Sequence, residues 1–342
     1  MGKLNVLVAG STGYIGIQLI KHLSVHPKIN IKYLCGNSSV GKKISLYDKS
    51  LSKYKLPIIA KFNKNFLKNV DVVFAALPNG EAQLLSNLLK PNNLLIDLSA
   101  DFRISDPLIY KKFYHLSHKS KQNISKSIYL LPELNKKNLN KYKIISCPGC
   151  YPTSLLIPLI PLLKNKIINK KNIIIDSKSG YSGAGRGVHK KFKNNNLYES
   201  LSSYGVGFHR HNSEINQEFE KISKNIFYNF TPHLTPMFRG ILSTIYLELP
   251  NSKSAKNILI LLKKEYKKEK FIKFAKFNKP ISTNDVINTN NCLISVCETK
   301  YKNRVILFSA IDNLIKGGAG QAVQNMNMYF GFKVNAGLKW KD

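Results

Sequence analysis

Acidic residues are scarce in this chain of 342 residues: 19 Asp and Glu stand against 53 Lys and Arg, for a formal net charge of +34. Arginine is scarcer still, since Arg103, Arg186, Arg210, Arg239 and Arg304 are 5 of those 53 and leave 48 lysines spread along the whole chain. Surfaces that grip nucleic acid cluster their charge, favour the guanidinium fork and interleave aromatic rings with it. A diffuse lysine surface excludes that class of partner. Cysteine is also sparse, and five in a chain this long exclude a disulfide framework and imply a reducing compartment. Long apolar runs are missing too: the longest, Leu155–Leu163, is interrupted by Pro158 and Pro161 and is about half a membrane span. The apolar start Leu4–Ala9 runs into a glycine turn rather than a cleavage site, and Gly2 lacks the downstream hydroxyl of a lipidation signal. The expectation is a cytoplasmic protein with no membrane and no nucleic-acid partner.

What is present is enough apolar residue, 43%, to fill about two cores. Leu4–Ala9, Ile29–Cys35, Asp71–Leu77, Asn93–Leu98 and Lys143–Cys147 read as short apolar strands, with a helix over Tyr14–His26 between the first two. Continuously apolar strands separated by helices predict an α/β fold whose first domain is a Rossmann-type doubly wound parallel sheet. Beyond residue 150 the runs Ile173–Asp176, Ile241–Leu249, Leu293–Cys297 and Arg304–Ala310 are longer and partly alternating. They predict a second, α+β domain with a half-exposed antiparallel sheet. Gly318–Phe330 reads as a helix that packs back on the first domain. The boundaries drawn from this are 1–149, 150–312 and 313–342, with Lys164–Lys171 and Lys190–Asn196 as surface loops.

Gly10, Gly13 and Gly16 in GSTGYIG fall between the first strand and the first helix. Glycines there permit a tight turn and close approach of a pyrophosphate to a helix N-terminus. A dinucleotide preferring NAD needs a carboxylate at the end of the second strand, whereas this chain has Cys35-Gly36-Asn37-Ser38-Ser39 with Lys42 and Lys43 beyond. NADP is therefore the expected cofactor. A second signal is Cys147-Pro148-Gly149-Cys150-Tyr151-Pro152-Thr153, which sets Cys150 at the start of a predicted helix, where the dipole lowers a thiol pKa. From spacing alone Cys150 is a nucleophile, half of a Cys147–Cys150 redox pair, half of a zinc site or an inert core residue. A zinc site lacks its other half, because Cys292 and Cys297 have the wrong spacing, and no metal is expected. The His209-Arg210-His211 run offers an imidazole acid/base, or else is a surface loop. The small-residue run Ser177–Gly187 can form an anion-binding nest beside Arg186, and Arg103 lies just past a strand end, where ligands sit in open sheets.

Taken together, GSTGYIG, DVVFAALPNG (Asp71–Gly80), IDLSADFR (Ile96–Arg103), PGCYPT (Pro148–Thr153), KSGYSGAGR (Lys178–Arg186), HRHNSEI (His209–Ile215), TPHLTPMFRGI (Thr231–Ile241) and IDNLIKGGAGQAVQNMN (Ile311–Asn327) carry a resemblance to a known family. The chain resembles the N-acetyl-γ-glutamyl-phosphate reductases, relatives of aspartate-semialdehyde dehydrogenase, over nearly its whole length. The resemblance implies a small-molecule acyl-phosphate substrate, reduced with NADPH through a thioester on Cys150 in arginine biosynthesis, with His211, or alternatively His209, as acid/base. It implies cofactor contacts from Gly10, Ser11, Thr12, Gly13, Tyr14, Ile15, Gly16, Asn37, Ser38, Leu77 and Pro78, and from Ser179, Gly180, Gly183, Asn313 and Lys316. Arg103, Arg186, Arg210 and Ser182 would bind substrate, and the assembly would be a dimer or tetramer. Aspartate-semialdehyde dehydrogenase and a reductase of carrier-linked aminoadipyl or glutamyl phosphate are the alternatives. Two positions depart from the family pattern: Cys147 stands where asparagine is usual, raising a disulfide with Cys150 on oxidation, and Ser213 stands where proline is usual.

Overall fold

A computed structural model describes residues 2–135, 138–186 and 199–338. The chain divides into two compact units, one of Met1–Pro148 with Gly318–Asp342 and one of Gly149–Gly317.

The first unit is built on seven strands, β1 (Leu4–Ala9), β2 (Ile29–Cys35), β3 (Ile59–Ala60), β4 (Val72–Ala75), β5 (Leu94–Asp97), β6 (Ser127–Tyr129) and β7 (Ile144–Ser146). Their order is β3-β2-β1-β4-β5-β7-β6 and every pairing is parallel. β4 (VVFA) and β5 (LLID) are buried at every position, in keeping with the apolar runs they make apart from the closing Asp97. Helices α1 (Tyr14–Ser24), α2 (Glu81–Ser86) and α3 (Pro107–Tyr114) follow β1, β4 and β5. The strand order reverses between β1 and β4, so the loops after these two strands flank the crevice where ligands of such sheets bind.

The second unit holds β8 (Ile173–Gly180), β9 (Ser202–Ser203), β10 (Tyr228–Thr235), β11 (Ile241–Glu248), β12 (Ile272–Phe274), β13 (Cys292–Glu298) and β14 (Arg304–Ile311), ordered β12-β13-β14-β11-β8-β10-β9. The sheet is mixed, not antiparallel as the alternation suggested: β8 pairs with β10 in parallel, and β12 with β13 likewise. Helix α4 (Cys150–Lys164) is buried along almost its whole length, followed by α5 (Asn212–Glu220) and α6 (Ala255–Glu265). Pro161 inside α4 has no N–H to give to the Ile157 carbonyl one turn back, and the Tyr266 hydroxyl donates to that carbonyl instead. Ser154 of α4 reaches Ser243 of β11 at 2.9 Å, and Ser243 reaches Ser177 of β8 at 2.8 Å, a buried hydroxyl chain binding helix to sheet.

After a π-helical turn at Ile315–Ala319, helix α7 (Gly320–Tyr329) belongs to the first unit and packs on α1. Its polar side chains are spent on that unit. Asn325 Nδ2 donates to Leu130 O at 3.2 Å and meets Cys147 Sγ at 3.5 Å, while Gln324 Nε2 donates to Glu133 Oε1 at 2.8 Å. The run Lys190–Asn196 and Gly187 lie outside the described residues.

Candidate active site

The loop after β1 is a turn that only glycine builds. Gly10 has φ +78°, and a Cβ there would lie 2.1 Å from Ala76 O; a Cβ on Gly16 would lie 2.2 Å from Gly10 O. The N–H groups of Gly10 and Ser11 both donate to Cys35 O, fastening the turn to the end of β2. No side chain caps α1, whose first turn carries no acidic residue, so Gly13, Tyr14, Ile15 and Gly16 present a helix N-terminus suited to a pyrophosphate. Leu77 and Pro78 follow β4 across the crevice. Beyond β2, Asn37 and Ser38 are exposed, and the buried Ser39 Oγ has no hydrogen-bond partner in the protein. An orphaned hydroxyl in a loop without carboxylates fits a ribose 2′-phosphate, so these residues fit NADP.

At the end of β5, Asp97 and Asp101 are both fully buried. Asp97 accepts from Ser99 N–H, Ser99 Oγ and Phe102 N–H; burial, and then the Asp101 charge, push its pKa upward. Asp101 accepts from Gly80 N–H, Gln83 N–H, Gln83 Nε2 and the Tyr110 hydroxyl, and thereby holds the start of α2. Between them they order the turn that carries Arg103. Its Nε donates to Cys147 O at 2.8 Å and its Nη2 to Leu98 O at 3.2 Å, so part of the guanidinium already braces the strand end before Pro148. Cys147 itself is buried, and desolvation pushes its thiol up to about 12. A thiol held protonated in this way is a poor redox partner.

The second unit holds Cys150 and the His209-Arg210-His211 run. Cys150 is the first residue of α4; Gly149 caps the helix through its backbone alone, and the thiol is only partly buried. Glu214, fully buried three residues past His211, accepts the Gly149 N–H at 2.8 Å on Oε2, and its Oε1 lies 3.8 Å from His211 Nε2. A Cβ on Gly149 would come within 2.5 Å of His211 Nε2, so that imidazole nitrogen lies directly over the residue before the thiol. His209 has a different setting. It is ringed by Tyr151, Tyr204, Phe230 and His211, its Nδ1 accepts the His211 N–H at 3.1 Å, and burial, with the Arg210 charge, lowers its pKa to about 4. His209 is thus a neutral prop for the backbone of His211. Ser213, in the place of the usual proline, donates its hydroxyl to Arg210 O at 2.6 Å.

The remaining residues singled out by sequence are distributed unevenly. Ser179, Ser182 and Asn313 are buried in the second unit, where Asn313 Nδ2 donates to Ser182 Oγ at 2.9 Å and Asn313 Oδ1 accepts the Gly240 N–H at 2.7 Å. Gly180 ends β8, and Gly183 is exposed within reach of Ser179 and Asn313. Lys316 is fully buried with its ammonium 5.7 Å from the Phe271 ring centre. Arg186 and Arg210 are exposed. Glu214 was the residue that sequence reasoning passed over; its spacing of three from His211 at a helix start was the available signal.

Comparison with known proteins bears on all of this. A family model described as the semialdehyde dehydrogenase NAD binding domain matches residues 5–142, and one described as the semialdehyde dehydrogenase dimerisation domain matches residues 150–313. The chain is 39% identical over 345 residues to the N-acetyl-gamma-glutamyl-phosphate reductase of Desulforamulus reducens, covering 98% of each. It is 42% identical over 330 residues to that of Ehrlichia ruminantium, covering 95% of this chain and 94% of the relative. Among solved structures, aspartate semialdehyde dehydrogenase II of Vibrio cholerae complexed with ASA superposes with a TM-score of 0.72 at 16% identity, over 97% of this chain and 99% of that one. The aspartate semialdehyde dehydrogenase of Candida albicans with NADP gives 0.65 at 18%, over 98% and 99%. At these identities the structural likeness speaks for the fold.

Proposed function

Because the chain belongs to the N-acetyl-gamma-glutamyl-phosphate reductases, which carry semialdehyde dehydrogenase domains, we propose that it reduces N-acetyl-γ-glutamyl phosphate to N-acetyl-L-glutamate 5-semialdehyde, releasing phosphate, in arginine biosynthesis. The observation that carries the chemistry is Cys150 at the open start of α4 with His211 Nε2 over Gly149.

Cys150, its thiolate favoured by the helix dipole, attacks the acyl carbon, and phosphate leaves as the thioester forms. His211 takes the thiol proton and later returns it to the departing Cys150 sulfur as the thiohemiacetal oxygen re-forms its carbonyl and the carbon–sulfur bond breaks. Glu214 orients His211 and pins Gly149, so nucleophile and base are held by one carboxylate. Arg103 and the Ser179–Gly185 turn supply donors for phosphate and substrate carboxylate, and the Gly10–Gly16 turn with Asn37, Ser38 and Ser39 holds the cofactor. NADPH, when bound, supplies the hydride that reduces the thioester.

Among the described residues no helix is long and apolar enough to cross a membrane. The second unit matches a dimerisation domain, and its sheet exposes Ile174 and Tyr246; we assign self-association to that unit, with the reaction run in the cytoplasm. Purified protein should reduce NADP with N-acetylglutamate semialdehyde in a phosphate-dependent manner, and Cys150→Ser should abolish it. A preference for aspartate semialdehyde would overturn the assignment.

A further inference from the structure

Cys150 is closely approached by Gly317, a residue with no assigned role. A Cβ added to Gly317 would lie 2.6 Å from Cys150 Cβ and 3.1 Å from its Cα, closer than side chains pack. Gly317 sits in the π-helical turn Ile315–Ala319, a rare geometry that recurs at functional sites.

The turn is held by Asp312, a carboxylate with no exposure to solvent. Asp312 Oδ1 accepts the N–H groups of Leu314 at 2.8 Å and Ile315 at 3.2 Å, and its backbone oxygen accepts the Gly317 N–H at 2.9 Å. Its other oxygen, Oδ2, accepts Asn288 N–H at 2.8 Å and Arg239 Nη1 at 3.2 Å, and the same Arg239 nitrogen donates to Asn288 Oδ1. A buried carboxylate needs such a partner, since an unpaired charge would be expelled or neutralised. Arg239 is thereby engaged by Asp312 and Asn288, while Asn313 next door is locked between Gly240 and Ser182.

We propose that the Arg239–Asp312 pair is a positioning device for the nucleophile: it sets the turn that presses Gly317 against Cys150 and so fixes the thiol relative to the start of α4 and to His211. The proposal rests on the reading of Cys150 as the nucleophile. Asp312 and Arg239 are positioning residues, acting through the Gly317 backbone.

The test compares Asp312→Asn, Arg239→Gln and Gly317→Ala with the wild-type protein in three measurements. These are kcat and KM with N-acetylglutamate semialdehyde, the pH midpoint of Cys150 alkylation by iodoacetamide, and NADPH binding. Displacement of a reacting group by a fraction of an ångström should lower kcat about tenfold to a hundredfold with KM and NADPH binding little changed. The alkylation midpoint should move with it, and Arg239→Lys should recover part of the loss. Folded Asp312→Asn or Arg239→Gln protein with wild-type kcat and midpoint would overturn the proposal. So would a loss of kcat matched by lost NADPH binding at an unchanged midpoint, because that pattern marks general loosening. Activity surviving in Cys150→Ser would instead overturn the nucleophile reading itself.

Discussion

Acid should loosen the second unit through one residue, His209. Its folded-state pKa is lowered to about 4 from the ordinary 6.5, first by burial and then by the charge of Arg210. The unfolded chain therefore binds the proton more readily than the folded one. The stability contributed by keeping this ring neutral is complete above the ordinary value, and it drains away as the pH falls from there toward the folded value. Each unit of pKa difference is worth about 1.4 kcal/mol, so a drop from about pH 7 to about pH 4.5 should remove about 2 kcal/mol through His209 alone. The geometry agrees in sign: Nδ1 accepts the His211 N–H, and an imidazolium cannot accept. His209→Asn offers a carbonyl acceptor and no titration. Urea unfolding followed by circular dichroism across this pH range, for both proteins, gives the difference directly, since every other titrating group is common to both. The wild-type protein should lose about 2 kcal/mol more than the variant. Parallel pH dependences would refute the burial argument.

Gly16→Ala should weaken NADPH binding by about tenfold or more, read by cofactor fluorescence, because its methyl group would meet Gly10 O and open the pyrophosphate turn. Ser38→Asp should shift the preference from NADPH toward NADH by placing a carboxylate where a 2′-phosphate is read, a change seen in the ratio of kcat/KM values. Iodoacetamide at neutral pH, followed by peptide mass spectrometry, should label the partly buried Cys150 and leave Cys147 unmodified until the protein is denatured. Asp101→Ala should cost about 3 kcal/mol or more in unfolding experiments, since it strands four donors, Gly80, Gln83 twice and Tyr110.

The parallel sheet of the first unit was legible because strands buried on both faces are largely apolar runs, as in Val72–Ala75 and, up to its closing Asp97, Leu94–Asp97. β10 was not, because YNFTPHLT carries Pro232, which has no N–H to give to a ladder, and its strand state comes from the parallel ladder with β8. In the site, Cys150 and the HRH run announced themselves through residue type. Which histidine lies over Gly149 did not, because it depends on a bend that sends His209 among aromatic rings and His211 over Gly149. Arg239 was visible as an arginine in a lysine-rich chain, but its partner Asp312 is 73 residues away. No local pattern links them.

Helix α7 gives the first unit an unusual order of assembly. The second unit is one uninterrupted stretch, Gly149–Gly317, and has all of its residues before the chain ends. The first unit begins with β1 yet lacks α7 until about 300 further residues have left the ribosome, and the partners of Gln324 and Asn325 at Glu133 and Leu130 wait for them. Translation therefore finishes the cofactor-holding unit last, even though it starts it first. A chain released after Gly317 would carry every residue of the thiol-bearing unit and a dinucleotide fold still lacking α7.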